Sequence, residues 1–212
     1  MIVRAEEMAR AVKVAIDMNR GDAPLIIEGD TDTLTLDEII YSKLAEGVRM
    51  VEMEAPLTML ESGHNFGERD LYMGEDGKGF IILPEDFMRL VAFRMSDWRR
   101  TVTEAITESD PEYLKQSSRF KGICGNPEKP VCAIVRRAEG KVLEFYSCTD
   151  PEARVVQGVY VRIPEIDENG GIDVSKECYR AAVYRAASLV LGSIGDQLSG
   201  TMLEISRGLL QG

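Results

Sequence analysis

The sequence predicts an α+β fold in which helices from both ends of the chain form one helical bundle, with an antiparallel β region inserted between them. Apolar residues recur at three- and four-residue spacing near both ends, and they alternate along short runs in the middle. Glycine and proline turn signals separate those runs. The predicted parts are residues 1–55, the N-terminal helices; residues 56–172, the β region; and residues 173–212, the C-terminal helices that complete the bundle.

The composition is that of an ordinary globular protein, but its charge balance is acidic. The 212 residues carry a net charge of −11, which argues against binding nucleic acid by neutralising phosphates and against docking on anionic lipid. No stretch reaches the roughly 18 consecutive apolar residues of a membrane helix. The N-terminus carries two glutamates where an export signal needs a basic patch and an apolar run.

Two amphipathic helices are predicted near the N-terminus. The first covers residues 3–19, and the second begins at Thr35, which has the capping-box spacing to Glu38. We expect the two helices to pack together through their apolar faces. Those faces carry Met8, Val12 and Ile16 in the first helix and Ile40, Leu44, Val48 and Val51 in the second.

Residues 79–95 form the central stretch of the predicted β region. The apolar run before Pro84 and the alternating run after it predict a strand, a corner at the proline, and a second strand. The alternative is a helix that opens at Pro84, with Glu85 and Asp86 in its first turn. We expect Leu83 and Phe87 to be buried at the junction of the β region with the helices.

Other runs in the middle of the chain predict two hairpins and one further strand. Leu71–Met73 pairs with the strand that starts at Gly79, across a turn at Asp76 and Gly77. Residues 97–122 are ambiguous: Trp98 to Val102 is compatible with a strand, and Pro111 is placed to start a helical turn. The remaining predicted strands cover residues 131–135 and 142–146, which form the second hairpin, and residues 154–163.

The C-terminal part predicts an alanine-rich helix over residues 176–191 and, after two glycines, another over residues 197–210. The last helix carries an apolar stripe that needs a partner. That partner is either the N-terminal helices, which would make the stripe core, or a neighbouring molecule, which would make it an interface. The predicted interface residues are Leu198, Met202, Ile205, Leu209 and Leu210.

The motifs of common enzymes and metal sites are incomplete in this sequence. His64, the single histidine, has no nucleophile motif beside it, and Gly77 with Lys78 lacks the rest of a phosphate loop. Asp30 and Asp32 resemble the opening of a calcium loop, but Leu34 replaces the third oxygen ligand and Tyr41 the bidentate glutamate. We therefore predict no catalytic residue, no cofactor and no metal, although scattered carboxylates could still include a catalytic pair.

The four cysteines are irregularly spaced, and no two of them form the close pairs that bind zinc. We expect them to be reduced thiols, with Cys132 and Cys148 buried in strands. The remaining two are Cys124 and Cys178.

The order of elements resembles that of the head–tail adaptor proteins of tailed bacteriophages. It is most similar to the tail tubular or ring proteins of short-tailed phages, including those that infect gut Bacteroides. The residues that carry the resemblance are 82–87, then Pro111, Glu112, Tyr113 and Gln116, then residues 129–132, and finally the helix over residues 179–191.

This resemblance implies an assembly protein and not an enzyme. Copies would form a ring, commonly twelve-fold, beneath the portal protein, and the ring would extend the DNA channel and seat the next tail component. DNA would pass through without sequence-specific binding, no membrane would be involved, and the protein would be part of the virion after assembly in the host cytoplasm. The alternative is a small hydrolase or binding domain whose site is built from scattered carboxylates.

Overall fold

Helices and mainly antiparallel sheets occur together in the computed structural model, so the predicted α+β class is confirmed. The structure describes residues 1–20, 35–61, 64–74, 76–118, 120 and 122–211. The elements, in chain order, are β1 (Ile2–Arg4), α1 (Ala5–Arg20), α2 (Leu36–Glu54), β2 (His64–Asn65), β3 (Leu71–Met73), β4 (Gly79–Ile82), β5 (Phe87–Met95), β6 (Ile106–Thr107), α3 (Pro111–Lys115), β7 (Cys132–Arg137), β8 (Gly140–Phe145), β9 (Val155–Arg162), β10 (Gly171–Asp173), α4 (Tyr179–Ser193) and α5 (Leu198–Gly208).

The chain divides into two units. The helical unit consists of Met1–Glu61 together with Ile163–Gly212, and the β unit is Ser62–Arg162. The predicted boundaries lie after residues 55 and 172, and the second differs because β10 pairs with β1 and so belongs to the helical unit. Periodicity could not indicate this pairing, since each strand has only three residues.

The predicted capping box is present at the start of α2. The Thr35 hydroxyl accepts the backbone N–H of Glu38 at 3.3 Å, and the Glu38 carboxylate accepts the backbone N–H of Thr35 at 2.7 Å. This reciprocal capping box satisfies two amides that the helix itself leaves without partners. Helix α1 begins two residues later than predicted because residues before Ala5 form β1.

Helix α4 contacts each of the other three long helices, and α1 also contacts α2 as predicted. The small side chains of α4 permit its close approach to α2, because a Cβ built on Gly47 of α2 would lie only 3.0 Å from the Cβ of Ala186. A larger residue at either position would push the two helices apart. The alanine-rich composition of α4 therefore serves close helix packing. The alanines buried along it are Ala181, Ala182, Ala186 and Ala187.

The β unit contains two sheets. One has the strand order β2-β9-β5 and the other β3-β4-β8-β7-β6, and all neighbours are antiparallel except β6 and β7. Both predicted hairpins are present, as β3–β4 and β7–β8. The turn between β3 and β4 needs Gly77, because its φ of 75° favours glycine and a Cβ there would lie 1.9 Å from the carbonyl oxygen of Cys148.

The chain passes from one sheet to the other at Pro84. Strand β4 belongs to the five-stranded sheet and β5 to the three-stranded sheet, which confirms the predicted strand–corner–strand and contradicts the alternative helix. Leu83 and Phe87, on either side of the corner, are both buried, which confirms the predicted burial, whereas their predicted place at a junction with the helices stays a prediction. Their hydrophobic cluster consists of residues of the β unit, among them Phe66, Phe93, Trp98, Phe145 and Tyr160.

Trp98 does not continue β5. It lies in a turn after the strand, where its ring is buried edge-on against Phe93, with ring centroids 5.5 Å apart. Further along the chain, Val102 pairs with Phe93 of β5 through an isolated antiparallel β-bridge. The tryptophan therefore fills the core from a turn, a placement that strand periodicity cannot indicate.

Replacing Leu83 with alanine tests whether the corner is part of the core. Leu83→Ala should lower the free energy of unfolding by about 2–5 kcal/mol, because the change leaves a cavity in the aromatic cluster. The matched control is Leu114→Ala, since Leu114 is 77% exposed and should change stability by no more than about 0.5 kcal/mol. Urea denaturation of the full chain measures both, and equal midpoints for wild type and Leu83→Ala would contradict the prediction.

Candidate functional site

The predicted C-terminal interface divides into two groups of residues. Met202 and Leu210 are buried, and α5 packs on α4, so these two are core residues of the helical unit. A core role was the alternative that the sequence left open for the whole stripe, but with the N-terminal helices as the partner, whereas the partner of α5 is α4. Leu198, Ile205 and Leu209 remain partly exposed, and their assignment to an interface stays a prediction.

His64 lies in β2, which pairs with β9, and its ring packs at 5.6 Å from the ring of Tyr160. No group of three or more histidine, cysteine, aspartate or glutamate side chains among the described residues is arranged to hold a metal ion. Asp30 and Asp32 lie outside the described residues. Within the same described part of the chain, no helix has the length and apolar character that crossing a membrane requires.

All four cysteines are free thiols, and Cys132, Cys148 and Cys178 are buried. Cys132 lies in β7 as predicted, whereas Cys148 follows the end of β8. Burial raises the pKa of the Cys132 thiol well above its usual value. Burial, together with the nearby Asp97 carboxylate, raises the pKa of Cys148 to about 12. Both thiols therefore stay protonated at neutral pH, which makes them poor nucleophiles.

A groove on the outer face of the five-stranded sheet is the best candidate for a functional site. It has a volume of about 600 Å³, and its walls come from β3, β4, β7 and β8 with the residues that follow them. Strand alternation builds it: Leu143 and Phe145 of β8 face the core, so Glu144 between them faces the groove. The lining residues used below are Tyr72, Lys78, Phe80, Arg137, Glu144 and Tyr146.

Glu144 is the polar centre of this groove and is only 6% exposed. One carboxylate oxygen accepts hydrogen bonds from Nε and Nη2 of Arg137, at 2.8 and 2.5 Å. The other oxygen accepts from the hydroxyl of Tyr113 at 3.2 Å and from the hydroxyl of Tyr146. A buried carboxylate needs such partners, because its desolvation would otherwise oppose folding. The network therefore fixes four side chains in one arrangement.

The two tyrosines of this network act as hydrogen-bond donors. Burial raises the pKa of Tyr146 far above its usual value, and its hydrogen bond to Glu144 adds to the shift. Burial also raises the pKa of Tyr113, with a further contribution from the charge of Glu144. Both phenols therefore remain protonated across the neutral pH range.

An aromatic row lies beside the network. The rings of Tyr72 and Phe80, paired across β3 and β4, stack with centroids 4.8 Å apart and an interplanar angle of 11°. The guanidinium carbon of Arg137 lies over the Phe80 ring, 4.3 Å from its centroid. Tyr72 remains 45% exposed, so the row presents an aromatic surface to solvent. Cation–π stacking and the salt bridge together hold Arg137 in place.

The groove has the chemistry of a binding site. Both oxygens of Glu144 already accept two hydrogen bonds each, which leaves this carboxylate poorly suited to act as a base. Arg137 directs only Nε and Nη2 at Glu144, and Lys78 at the rim pairs with Asp76, its Nζ lying 3.7 Å from Oδ2. The groove therefore presents an aromatic surface beside two cations that each have a carboxylate partner.

Sequence reasoning identified the β7–β8 hairpin but missed this network. The available signal was Glu144, a charged residue inside the apolar run of β8, which implies a buried partner. The identity of that partner depended on the register between β7 and β8, where Arg137 lies opposite Gly140. No protein-family model and no curated protein matches this chain.

Replacing Glu144 with glutamine tests the network. Glu144→Gln keeps the shape but removes the charge that Arg137, Tyr113 and Tyr146 bind, so the free energy of unfolding should fall by about 1–3 kcal/mol. Glu139→Gln, at an exposed position in the turn before β8, is the matched control and should have little effect. Thermal denaturation at neutral pH measures both variants. A Glu144→Gln protein as stable as the control would show that the network contributes nothing.

Proposed function

We propose that this chain is a structural head–tail connector subunit of a tailed bacteriophage. Copies form a ring below the portal protein, extend the DNA channel and seat the next tail component. The observation that carries the proposal is the insertion of the β unit into a helical unit built from both ends of the chain. This layout agrees with the order of elements on which the resemblance to adaptor and ring proteins rests.

The residues that carry the resemblance occupy positions that determine the fold. Pro84 marks the change of sheet, Pro111 opens α3, and Cys132 opens the central hairpin of the five-stranded sheet. Residues 179–191 cover most of α4, the helix that packs against the other three long helices. The similarity therefore concerns the framework of the chain, which is what a shared assembly role would preserve.

Exposed apolar side chains on both units support an assembly role. A closed ring needs head-to-tail contacts, in which each copy uses two different surfaces. Large exposed apolar residues mark such contact surfaces where they form a contiguous patch. They include Leu114, Phe120 and Ile123 on the β unit and Val14, Met50 and Met53 on the helical unit.

The charge of the chain suits a channel through which DNA slides. With a net charge of −11, a ring of many copies has a strongly negative field. Such a field repels phosphate, whereas a DNA-binding protein uses basic residues to release counterions from it. DNA would thus pass the ring without being held.

The native mass of the purified protein, alone and mixed with a candidate portal protein, tests the proposal. We expect a ring-sized multiple of the 23.6 kDa subunit, either alone or once the portal is added, because the portal fixes the number of copies that bind. An unrelated acidic protein of similar size serves as the control for nonspecific association. A mass of one subunit under both conditions, together with hydrolytic activity that depends on a carboxylate pair, would instead support the enzyme alternative.

A further inference from the structure

We infer that one buried water molecule binds between Asp97 and Trp98 in the β unit. The water accepts a hydrogen bond from Nε1 of Trp98 and donates one to Oδ1 of Asp97. It thereby completes the hydrogen bonds of a turn that joins one sheet of the β unit to the other. The inference goes beyond the proposed function and is independent of it, because it concerns the interior of the β unit alone.

Asp97 lies in the turn after β5 and binds the segment that follows β8. Its Oδ2 accepts the backbone N–H groups of Thr149 and Asp150, at 2.7 and 3.3 Å. Strands β5 and β8 belong to different sheets, so this carboxylate joins the two sheets. These partners hold the side chain in place through Oδ2.

The other carboxylate oxygen and the neighbouring indole nitrogen are unpaired. Oδ1 of Asp97 and Nε1 of Trp98 are both buried, and neither has a hydrogen-bond partner within the part of the chain that the structure describes. The Trp98 side chain is only 1% exposed, so bulk solvent does not reach its N–H group. A buried polar group without a partner opposes folding, and nearly all such groups are bonded to protein or to ordered water.

The backbone donors next to these two atoms are already occupied. The N–H of Trp98 donates to the carbonyl of Met95 at 3.1 Å, and the N–H of Cys148 donates to the carbonyl of Gly77, also at 3.1 Å. Neither N–H is therefore available to Oδ1 of Asp97.

The thiol of Cys148 is a common neighbour of the two unpaired groups. Burial raises the pKa of this thiol, the charge of Asp97 raises it further, and the indole of Trp98 acts in the opposite direction. Sulfur is a weak donor and a weak acceptor, so the thiol is a poor replacement for an oxygen partner. A shared neighbour brings the two groups within reach of one small molecule.

The chemistry of the pair selects a neutral ligand that can both donate and accept. The Asp97 carboxylate repels an anion, and the indole N–H of Trp98 directs its partial positive charge at the site and so disfavours a cation. Water has both functions in the smallest volume. Buried waters make about three hydrogen bonds to groups of this kind, and the Cys148 thiol supplies a third, weaker partner.

Solvent reaches the segment that binds Asp97. A cavity of about 450 Å³ lies against Cys148 and Thr149, and Ser118, Asn126 and Ser147 are among its other lining residues. Thr149 is exposed and donates its backbone N–H to Asp97. Local opening of this segment therefore provides a route by which the buried water exchanges without unfolding of the core.

Trp98 allows a direct test, because it is the single tryptophan and its indole N–H gives one isolated proton signal in NMR spectra of the full chain. We expect a cross peak between this proton and water whose signs are opposite in NOESY and ROESY spectra. Opposite signs identify a dipolar contact with a water that stays bound for longer than the protein takes to tumble. No cross peak, or a cross peak of the same sign in both spectra, which indicates proton exchange alone, would overturn the inference.

Two variants control for protein protons that exchange with water and imitate this signal. Thr149→Val removes the hydroxyl near Asp97, and Cys148→Ala removes the thiol. The dipolar cross peak should persist in both, because it arises from the water itself. Its loss in either variant, with a melting curve that shows a folded protein, would assign the signal to that side chain and contradict a bound water.

A high-resolution crystal structure of the full chain provides the geometry. We expect a water oxygen about 2.7–3.2 Å from both Nε1 of Trp98 and Oδ1 of Asp97. Direct hydrogen bonds from both atoms to Sγ of Cys148, with no ordered oxygen between them, would refute the site.

Discussion

Arg185 of α4 joins the two ends of the chain. It is only 3% exposed, and its Nη1 and Nη2 bind the two carboxylate oxygens of Glu54 at the end of α2, at 3.0 and 2.5 Å. Its Nε donates to the hydroxyl of Ser206 in α5 at 3.4 Å. A buried guanidinium without its partners would be strongly unfavourable, so α2, α4 and α5 have to meet in one arrangement. Because α2 and α4 lie on opposite sides of the inserted β unit in sequence, this contact closes the helical unit.

The same constraint explains the composition of the helices. Arg185 reaches Glu54 only if α4 lies close to α2, and the contact of Gly47 with Ala186 provides that distance. Glu52, five residues after Gly47 along α2, is buried and accepts the backbone N–H of Ser175 at 2.7 Å. Hydrogen bonds between distant parts of the sequence thus accompany the close packing of α4 on α2.

Within the β unit, one face of the five-stranded sheet builds the core and the other carries the groove. Leu143 and Phe145 contribute to the core, and Glu144 between them orders Arg137, Tyr113 and Tyr146 on the opposite face. A network with so many fixed partners stabilises the sheet at the position where the aromatic row is exposed. The exposed aromatic row therefore lies on a rigid surface.

Local patterns in the sequence predicted much of this fold. The capping box at Thr35, the corner at Pro84 and the turn at Gly77 depend on residues close to one another, and each occurs as predicted. The pairing of β1 with β10 and the partners of Glu144 depend on distant residues, so periodicity contained no information about them.

The stripe on α5 shows the same limit of local patterns. Spacing alone could not decide between core and interface, and the structure buries Met202 while Ile205 stays partly exposed.

Electron micrographs of the protein bound to a candidate portal test the ring most directly. The connector function predicts annular particles with an open centre, in which end-on class averages have one rotational symmetry and the added density forms a closed layer below the portal. Particles of the portal alone, or side views with two-fold dimers of this chain and no closed layer, would contradict it.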